Sequence, residues 1–556
     1  MATTRERRPL LRGLIQDFRA LTRAPRDLWI VYGVKLLESV SYFAMLNVLV
    51  LYLHEDLRLS DEWSGAVFGA WGTVVSLLTF LAGFVADAMG QRKALIIAAF
   101  TAVLGRAMLL TSEIPAIPLL GLAVGAWAVA SMKPVMTAAI KTHAPTKVRA
   151  FAYSIFYVVM NLGAFVAGHV VSLLRTSLLG RVVRPGELLG GAEAASEEAQ
   201  RALVEELVPA LRPSMGKLAD AEAVRSVARV ATGGRDLGHW TVEDLTRVRE
   251  GMEAHVAGQP LPGAPFGWSG YEMIFLVAAL LSVVSLLLLR AMRPDRPVSV
   301  GPGDHASLGV RAVLARAVGI GAGLFKEKTF WAYLLFICVL VLVRAIFVHA
   351  HSTWPNYMVR EFGHDTPFAA YWSLNPALIM ILTPVIGSAT SRFSAWWVIM
   401  TGSFITATSV LCMVWGGVFE EVAQAALSPV FDDGLDYRVA GPIAFIVVLS
   451  VGEALWSPRL YEYVAVMAPP GREASYMGLT QLPMFAAKPL VGLMSGFLVA
   501  AYVPERGPHD ASTMWLIIFA TTLAGPLIAL AFAGTIRAAE KERLEAAAAT
   551  EGDRGG

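Results

Sequence analysis

Long apolar blocks, each about 20 to 28 residues and therefore long enough to cross the hydrocarbon of a bilayer, leave this chain few ways to fold. Twelve of them can be read along the sequence. Six run near 27–53, 62–86, 93–111, 115–141, 148–174 and 268–291, and six near 330–350, 367–391, 394–418, 441–467, 474–502 and 512–536. Segments inside lipid must satisfy their own backbone hydrogen bonds, so apolar blocks of this length become helices. Of the residues, 56% are hydrophobic and 16% charged, against about a quarter charged in soluble domains. The reading is an all-α membrane protein of twelve transmembrane helices. Two groups of six separated by a polar stretch point to a duplicated transporter, although the count alone also admits a channel or a membrane enzyme.

Charge placement orients the helices. Arg5, Arg7, Arg8, Arg12, Arg19, Arg23 and Arg26 precede the first span, and Arg92, Lys93, Lys141, Lys147, Arg149, Arg293 and Arg296 fall in even-numbered loops. The short odd-numbered loops, "HEDLRLSDE", "TSEIPAIP" and "PERGPHD", are acidic or neutral. The positive-inside bias puts both termini in the cytoplasm of a multi-pass cell (inner) membrane protein. The N-terminus has no apolar core followed by a small-residue cleavage site, so no removable signal peptide is expected. The resulting division is a tail at 1–26, helices one to five at 27–174, an extracytoplasmic insert at 175–267 and helix six at 268–291. A linker at 292–329, helices seven to twelve at 330–536 and a tail at 537–556 follow.

The insert reads as amphipathic helices in "EEAQRALVEELVPAL", "DAEAVRSVARVA" and "TVEDLTRVREGMEAHV", a helical cap or a partner-binding module. The linker opens with the flexible "RPDRPVSVGPGDHASLG" and continues as a basic helix suited to the membrane surface. Cys338 and Cys412 lie in apolar blocks and read as buried thiols, with no disulfide framework, metal cluster or cofactor indicated. A net charge of +2 gives no case for a nucleic-acid partner. No nucleophile–base set and no phosphate loop is evident, so an enzyme is not expected.

Between the second and third spans lies "GFVADAMGQRK". Gly83 permits close packing, Gly90 a tight reversal, and Asp87 meets the positive end of a neighbouring helix. With Arg92 this resembles the signature loop of the major facilitator superfamily, whose aspartate helps hold the cytoplasmic gate shut. The second half has "GSATSRFS" at the matching place, without the aspartate. Five further stretches, "ESVSYF", "SMKPVM", "FYVVMNLGAF", "SLNPALIMILTPVIG" and "GEALWSPRL", together resemble the proton-dependent oligopeptide transporter family. That likeness covers the spans and neither the insert nor the tails. It implies two six-helix bundles of the major facilitator fold and transport of a small peptide or related zwitterionic or anionic molecule with protons, by a monomer.

The first-span motif of that family is Glu, two residues, Glu-Arg-Phe, one residue, Tyr-Tyr. The residues here are Lys35, Glu38, Ser39, Val40, Tyr42 and Phe43. By resemblance, Lys133 and Glu453 would hold the carboxylate and amino ends of a peptide, while the motif arginine is missing. Glu38 and Glu453 fall near mid-span, where charge is costly and defaults to function. Lys35 and Glu38 share a helical face. A buried carboxylate whose cation comes and goes binds and releases protons, so Glu38 and Glu453 are the proton-coupling candidates. Arg344 is a source for the missing cation, and Arg344 and Lys35 are either cargo ligands or structural partners. Tyr42 and Tyr157 line the cavity or pack, and Asn161 meets cargo or a neighbouring helix. His349 and His351 read as interfacial, and Arg106, His169 and Lys488 are left unassigned, since helix-end charges reaching for water account for them. Two rivals remain: a uniporter, exchanger or exporter of amino acids or other metabolites without peptide specificity or proton coupling, and a membrane receptor or assembly subunit working through the insert.

Overall fold

The computed structural model describes residues 18–178, 270–294, 328–428, 436–467 and 482–542, apart from short gaps at 58, 112–113, 146–148, 364–365, 391–392, 505–506 and 539–540. The insert helices, most of the linker and both tail ends therefore lie outside the described residues. Among the described residues the regular structure is helical. The first half holds α1 (Arg26–Glu55), α2 (Asp61–Met89), α3 (Gln91–Met108), α4 (Ala116–His143), α5 (Arg149–Ser172) and α6 (Gly270–Arg290). The second holds α7 (Lys328–Ser352), α8 (Trp354–Phe362), α9 (Phe368–Trp372), α10 (Leu374–Thr390), α11 (Ala395–Ser409) and α12 (Leu411–Val414). It continues with α13 (Gly416–Leu427), α14 (Ala440–Met467), α15 (Leu482–Tyr502) and α16 (Ala511–Ala531).

Each of the twelve expected spans contains a described helix, and 9 helices among the described residues are long and apolar enough to cross a membrane. The eighth and ninth spans are interrupted. Pro376 lacks an N–H and crowds the preceding turn, and the chain breaks at Ser373 between α9 and α10. Val410 and Trp415 divide α11, α12 and α13 in the same region of the second half.

Packing reveals a repeat that the sequence barely shows. In the first half α1 packs on α5 and α6, α3 on α4 and α6, and α2 on α4. In the second half α7 packs on α15 and α16, α11 on α14 and α16, and α10 on α14. These are the same pairings with each helix exchanged for its counterpart six spans later. The halves meet through α2 with α15 and through α5 with α9 and α10, a pair of contacts that the same exchange interconverts.

Small residues bring these backbones together, as expected where lipid gives helices no hydrophobic reason to associate. A Cβ on Gly65 would stand 2.3 Å from the Gly492 carbonyl oxygen, and one on Gly492 2.5 Å from that of Gly65. Gly168 on α5 lies equally close to the Ala369 carbonyl of α9.

The buried cores show how far the halves approach. One cluster draws on both halves: Val48, Leu49 and Tyr52 of α1 join Trp354 and Tyr357 of α8, Phe445 of α14 and Trp515 of α16. It occupies the end of the bundle that carries Asp61. Toward the end that carries Gly90 the cores separate. One contains first-half residues such as Val31, Leu95, Met136 and Phe156, and the other contains second-half residues such as Phe336, Trp396, Trp456 and Tyr463. Among the described residues the halves are thus joined at the Asp61 end and have separate cores at the Gly90 end.

Replacing Gly65 with valine is expected to cost about 1–3 kcal/mol, the usual penalty of overpacking, and to lower Tm. Gly417→Ala, at a position with nothing within 4 Å, should leave Tm within a degree or so of the parent on this scale. Thermal unfolding of the detergent-purified chain followed by tryptophan fluorescence reads both.

Candidate functional site

The intramembrane charges collect where the shared core gives way to the separate ones. On α1 the Lys35 ammonium donates to Glu38 Oε2 at 3.0 Å, with both side chains buried. Their spacing of three along one helix face makes this pair local. Lys35 also stands over the Phe156 ring of α5 at 5.5 Å. Tyr42 lies within the electrostatic field of Glu38 and packs edge-on to Phe43.

Ser39, which occupies the place where the resembled family has arginine, is fully buried. Gly163 of α5 approaches it so closely that an added Cβ would lie 2.5 Å from Ser39 Cβ. No long side chain leaves from this point. A cation nevertheless comes near Glu38 from another helix. Arg106 of α3 is buried, donates to Ser282 Oγ of α6 and lies within electrostatic reach of Glu38. The expectation that Arg106 reaches for water at a helix end is therefore corrected.

The second half holds the other carboxylate. Asn375 at the head of α10 donates to Glu453 Oε2 of α14 at 3.0 Å and to Ser450 Oγ at 3.1 Å. Asn375 follows the break at Ser373, and α10 packs on α14. Arg344 of α7 lies within electrostatic reach of Glu453.

Between the halves stand two lysines. Lys133 is exposed on α4. Lys488 of α15 crosses to α2, donating to the Gly72 carbonyl at 3.1 Å and Ser76 Oγ at 2.8 Å. Lys488 interacts electrostatically with both Arg344 and Lys133, so the three cations share one region. Lys488 is likewise no helix-end charge seeking water. Both Arg106 and Lys488 carried the signal used for Lys35, a charge inside an apolar block, and the same criterion would have found them.

The remaining candidates fall as follows. Tyr157 is 36% exposed on α5, and its carbonyl accepts from Asn161 Nδ2 at 2.9 Å. Asn161 thus bonds its own helix. Asp87 sits in the last turn of α2, with its side chain outside the described residues. Arg92 donates to the Arg290 carbonyl of α6 at 2.9 Å, tying α3 to α6 within the first half. The two histidines read as interfacial are interior: His349 is buried beside Thr353 Oγ1 at 2.8 Å, and His351 meets the Trp372 ring edge-on.

A polar latch across the halves was not foreseen. At the Asp61 end Arg360 of α8 grips Asp61 of α2 with two bonds, Nη1 to Oδ2 at 3.0 Å and Nη2 to Oδ1 at 2.7 Å. The same guanidinium donates to the Val503 carbonyl at 2.7 Å and meets His54 Nε2 at 3.3 Å. Arg175, after α5, reaches the Thr366 carbonyl and stacks on Phe368. These partners are distant in sequence, and no local pattern announces them.

The sequence model described as Major Facilitator Superfamily matches residues 32–182. The protein called NRT1/PTR family 5.13 of Arabidopsis thaliana is 35% identical over 95 residues, which is 17% of this chain and 17% of that protein. NRT1/PTR family 5.15 of the same plant is 31% identical over 88 residues, 16% of each chain. The matches thus span about a sixth of these relatives' length. Solved structures match over nearly all of the chain. A POT family transporter in complex with a thioalcohol-conjugated peptide superposes with TM-score 0.59 at 14% identity, covering 92% of this chain and 97% of that one. A proton-dependent oligopeptide transporter superposes with TM-score 0.54 at 16% identity, covering 92% and 99%. The class is a multi-pass membrane protein with the major facilitator fold. These findings show the fold of the POT transporters, with likeness to the Major Facilitator Superfamily over residues 32–182.

Removing Arg360 should open the Asp61 end, because the buried Asp61 carboxylate then lacks its cation, a loss of about 3–5 kcal/mol. Spin labels on Trp63 of α2 and Val422 of α13, both exposed, report it after Cys338 and Cys412 are replaced by alanine. Arg360→Ala is expected to shift the label–label distance distribution to longer values than in the parent.

Proposed function

We propose that the chain is a proton-coupled symporter of small peptides or related zwitterionic or anionic molecules, working by alternating access. The observation that supports this best is the placement of the two intramembrane carboxylates. Glu38 and Glu453 sit one in each half at the junction of shared and separate cores, each with a cation from another helix within electrostatic reach. A carboxylate whose cation can be drawn away gains and loses a proton as that cation moves. Cargo that competes for Arg106, Arg344 or Lys133 would thereby exchange binding for protonation. Rocking of the halves about this region would alternate which end is open.

In this reading the Asp61 end faces the cell exterior, closed by the Arg360 latch and the shared core, and the Gly90 end faces the cytoplasm with both termini. The protein would lie in the cell membrane and act as a monomer. Glu38 and Glu453 carry the proton. Lys35, Tyr42, Lys133, Tyr157, Asn161, Arg344 and Glu453 serve cargo, and Asp87 and Arg92 serve the cytoplasmic gate. The chain works as a transporter and not as an enzyme.

A second reading keeps the fold and drops proton coupling or peptide specificity. It is favoured by the Lys35–Glu38 pair, which neutralises Glu38 from within its own helix, and by the small Ser39 where an arginine would stand. A role through the insert rests on residues outside those described.

Proteoliposome flux separates these readings. With an acidic exterior, uptake of labelled dialanine or succinate is expected to exceed that without a gradient. Glu38→Gln should lower gradient-driven uptake at least about tenfold, the scale of one lost charge-assisted contact, while counterflow survives. Equal uptake with and without the gradient would establish the second reading, and loss of both modes in the variant would make Glu38 a folding or binding residue.

A further inference from the structure

We propose that a polar stripe on α7 and α8, on the face turned toward α1, is the route by which water and protons enter from the Asp61 end, with Arg360 at its mouth and His349 at its inner end. This rests on the transporter reading above and adds the path taken by the coupled proton.

Helical register runs through the joint between α7 and α8. The Thr353 N–H donates to the His349 carbonyl at 2.8 Å, and the Tyr357 N–H donates to the Thr353 carbonyl at 3.0 Å. His349, Thr353, Asn356 and Arg360 therefore follow one another along a single helix face. The first three are buried. Arg360 fixes where that face points, because it grips Asp61 of α2 and meets His54 of α1, and α1 packs on both α7 and α8. The stripe thus lies in the seam between the halves. Asn47, on the same face of α1 as His54, is buried too. Helical rise sets Asn47 as far inward of His54 as Thr353 is of Arg360. The opposite face of α8 is apolar: Trp354 meets the rings of Trp372 and Phe445, and Met358 is fully buried in the shared core.

Two atoms of the stripe state what it binds. His349 Nδ1 lies 2.8 Å from Thr353 Oγ1, while its Nε2 is buried without a protein partner among the described residues. Asn356 Oδ1 is buried in the same condition. Such atoms are costly inside a protein unless something bonds them, and water is the small group that bridges buried polar side chains. From Arg360 to His349 the stripe covers about 16 Å at the helical rise, roughly half of the hydrocarbon thickness. It ends about 7–8 Å along the axis from Arg344 on that same rise, close to the level of the intramembrane charges. At the mouth Asp61 matches the charge of Arg360, so no net positive charge bars an entering proton. A file of water hands protons along its hydrogen bonds, whereas the aromatic core around Trp354 and Trp515 keeps larger solutes out. Protons thus reach mid-membrane while this end stays shut to cargo.

Two measurements test this. The first needs no cargo. With Cys338 and Cys412 replaced by alanine, the detergent-purified chain carrying Asn356→Cys, or Met358→Cys on the apolar face, is exposed to Ag⁺, a small water-borne cation that a thiol binds with loss of its proton. Fluorescent maleimide added after unfolding counts the thiols left. Asn356→Cys is expected to react about tenfold or more faster than Met358→Cys, and faster still with Arg360→Ala. The second uses proteoliposomes with labelled dialanine or succinate. Asn356→Leu and His349→Leu should each lower gradient-driven uptake about tenfold, the effect of one hydrogen bond lost from the file, with counterflow at equal pH within about threefold of the parent on that scale. Thr353→Val, which keeps the shape and removes the hydroxyl, should give the same pattern and carries the test if the leucine variants do not fold. Met358→Leu should leave both modes at the parent rate. Equal reaction at 356 and 358 would overturn the proposal. So would equal loss of both transport modes, which would make the stripe a lining for cargo. If the variants keep full gradient-driven uptake, the route falls and the transporter reading stands. If neither probe moves in the parent by gradient or counterflow, both fall.

Discussion

Backbone contact between α2 and α15 is the constraint on which the rest of the structure depends. Lipid offers two apolar helices no gain from meeting, so only close packing and polar bonds hold the halves together. Glycines at 65 and 69 on one side and 492 and 496 on the other supply the approach. The Arg360 latch and Lys488 supply the polar bonds at either end of that contact. The counterpart contact of α5 with α9 uses Gly168 in the same manner. With both in place, the aromatic core around Trp354, Phe445 and Trp515 closes one end of the molecule. At the other end, among the described residues, each half has a core of its own.

The charges make sense against that arrangement. Lys35, Glu38, Arg106, Arg344, Glu453 and Lys488 come from five different helices and cluster at the level where the halves begin to part. Inside a closed half they would be costly, and on a lipid-facing surface more so. Near the junction they meet one another, hydroxyls such as Ser282 and Ser76, and the amide of Asn375. A polar set shared between elements that can move relative to each other is what the proposed coupling of cargo, protons and conformation requires.

Much of this was legible in the chain itself. Block length gave the spans, and the intramembrane Glu38 and Glu453 announced themselves as anomalies. The three-residue spacing of Lys35 and Glu38 gave their pairing directly, because a helix fixes it. Other parts were hidden for stated reasons. Arg106 and Lys488 lie near enough to span ends that reaching for water was an economical account. Only the neighbours Ser282, Gly72 and Ser76, more than a hundred positions away in each case, show them turned inward. The duplication left almost no trace in the signature loops, where Asp87 has no partner in "GSATSRFS", yet helix pairing repeats it step for step.

The sequence by itself determined a helical membrane protein in two sets of six spans and the identity of the charges inside them, because span length, hydropathy and helical spacing are local properties. Tertiary structure decided which charges meet. It joined Asp61 to Arg360 across 299 positions, set Asn375 against Glu453 and brought Lys488 to α2, because those contacts follow from how the two halves pack, and no local pattern along the chain records that.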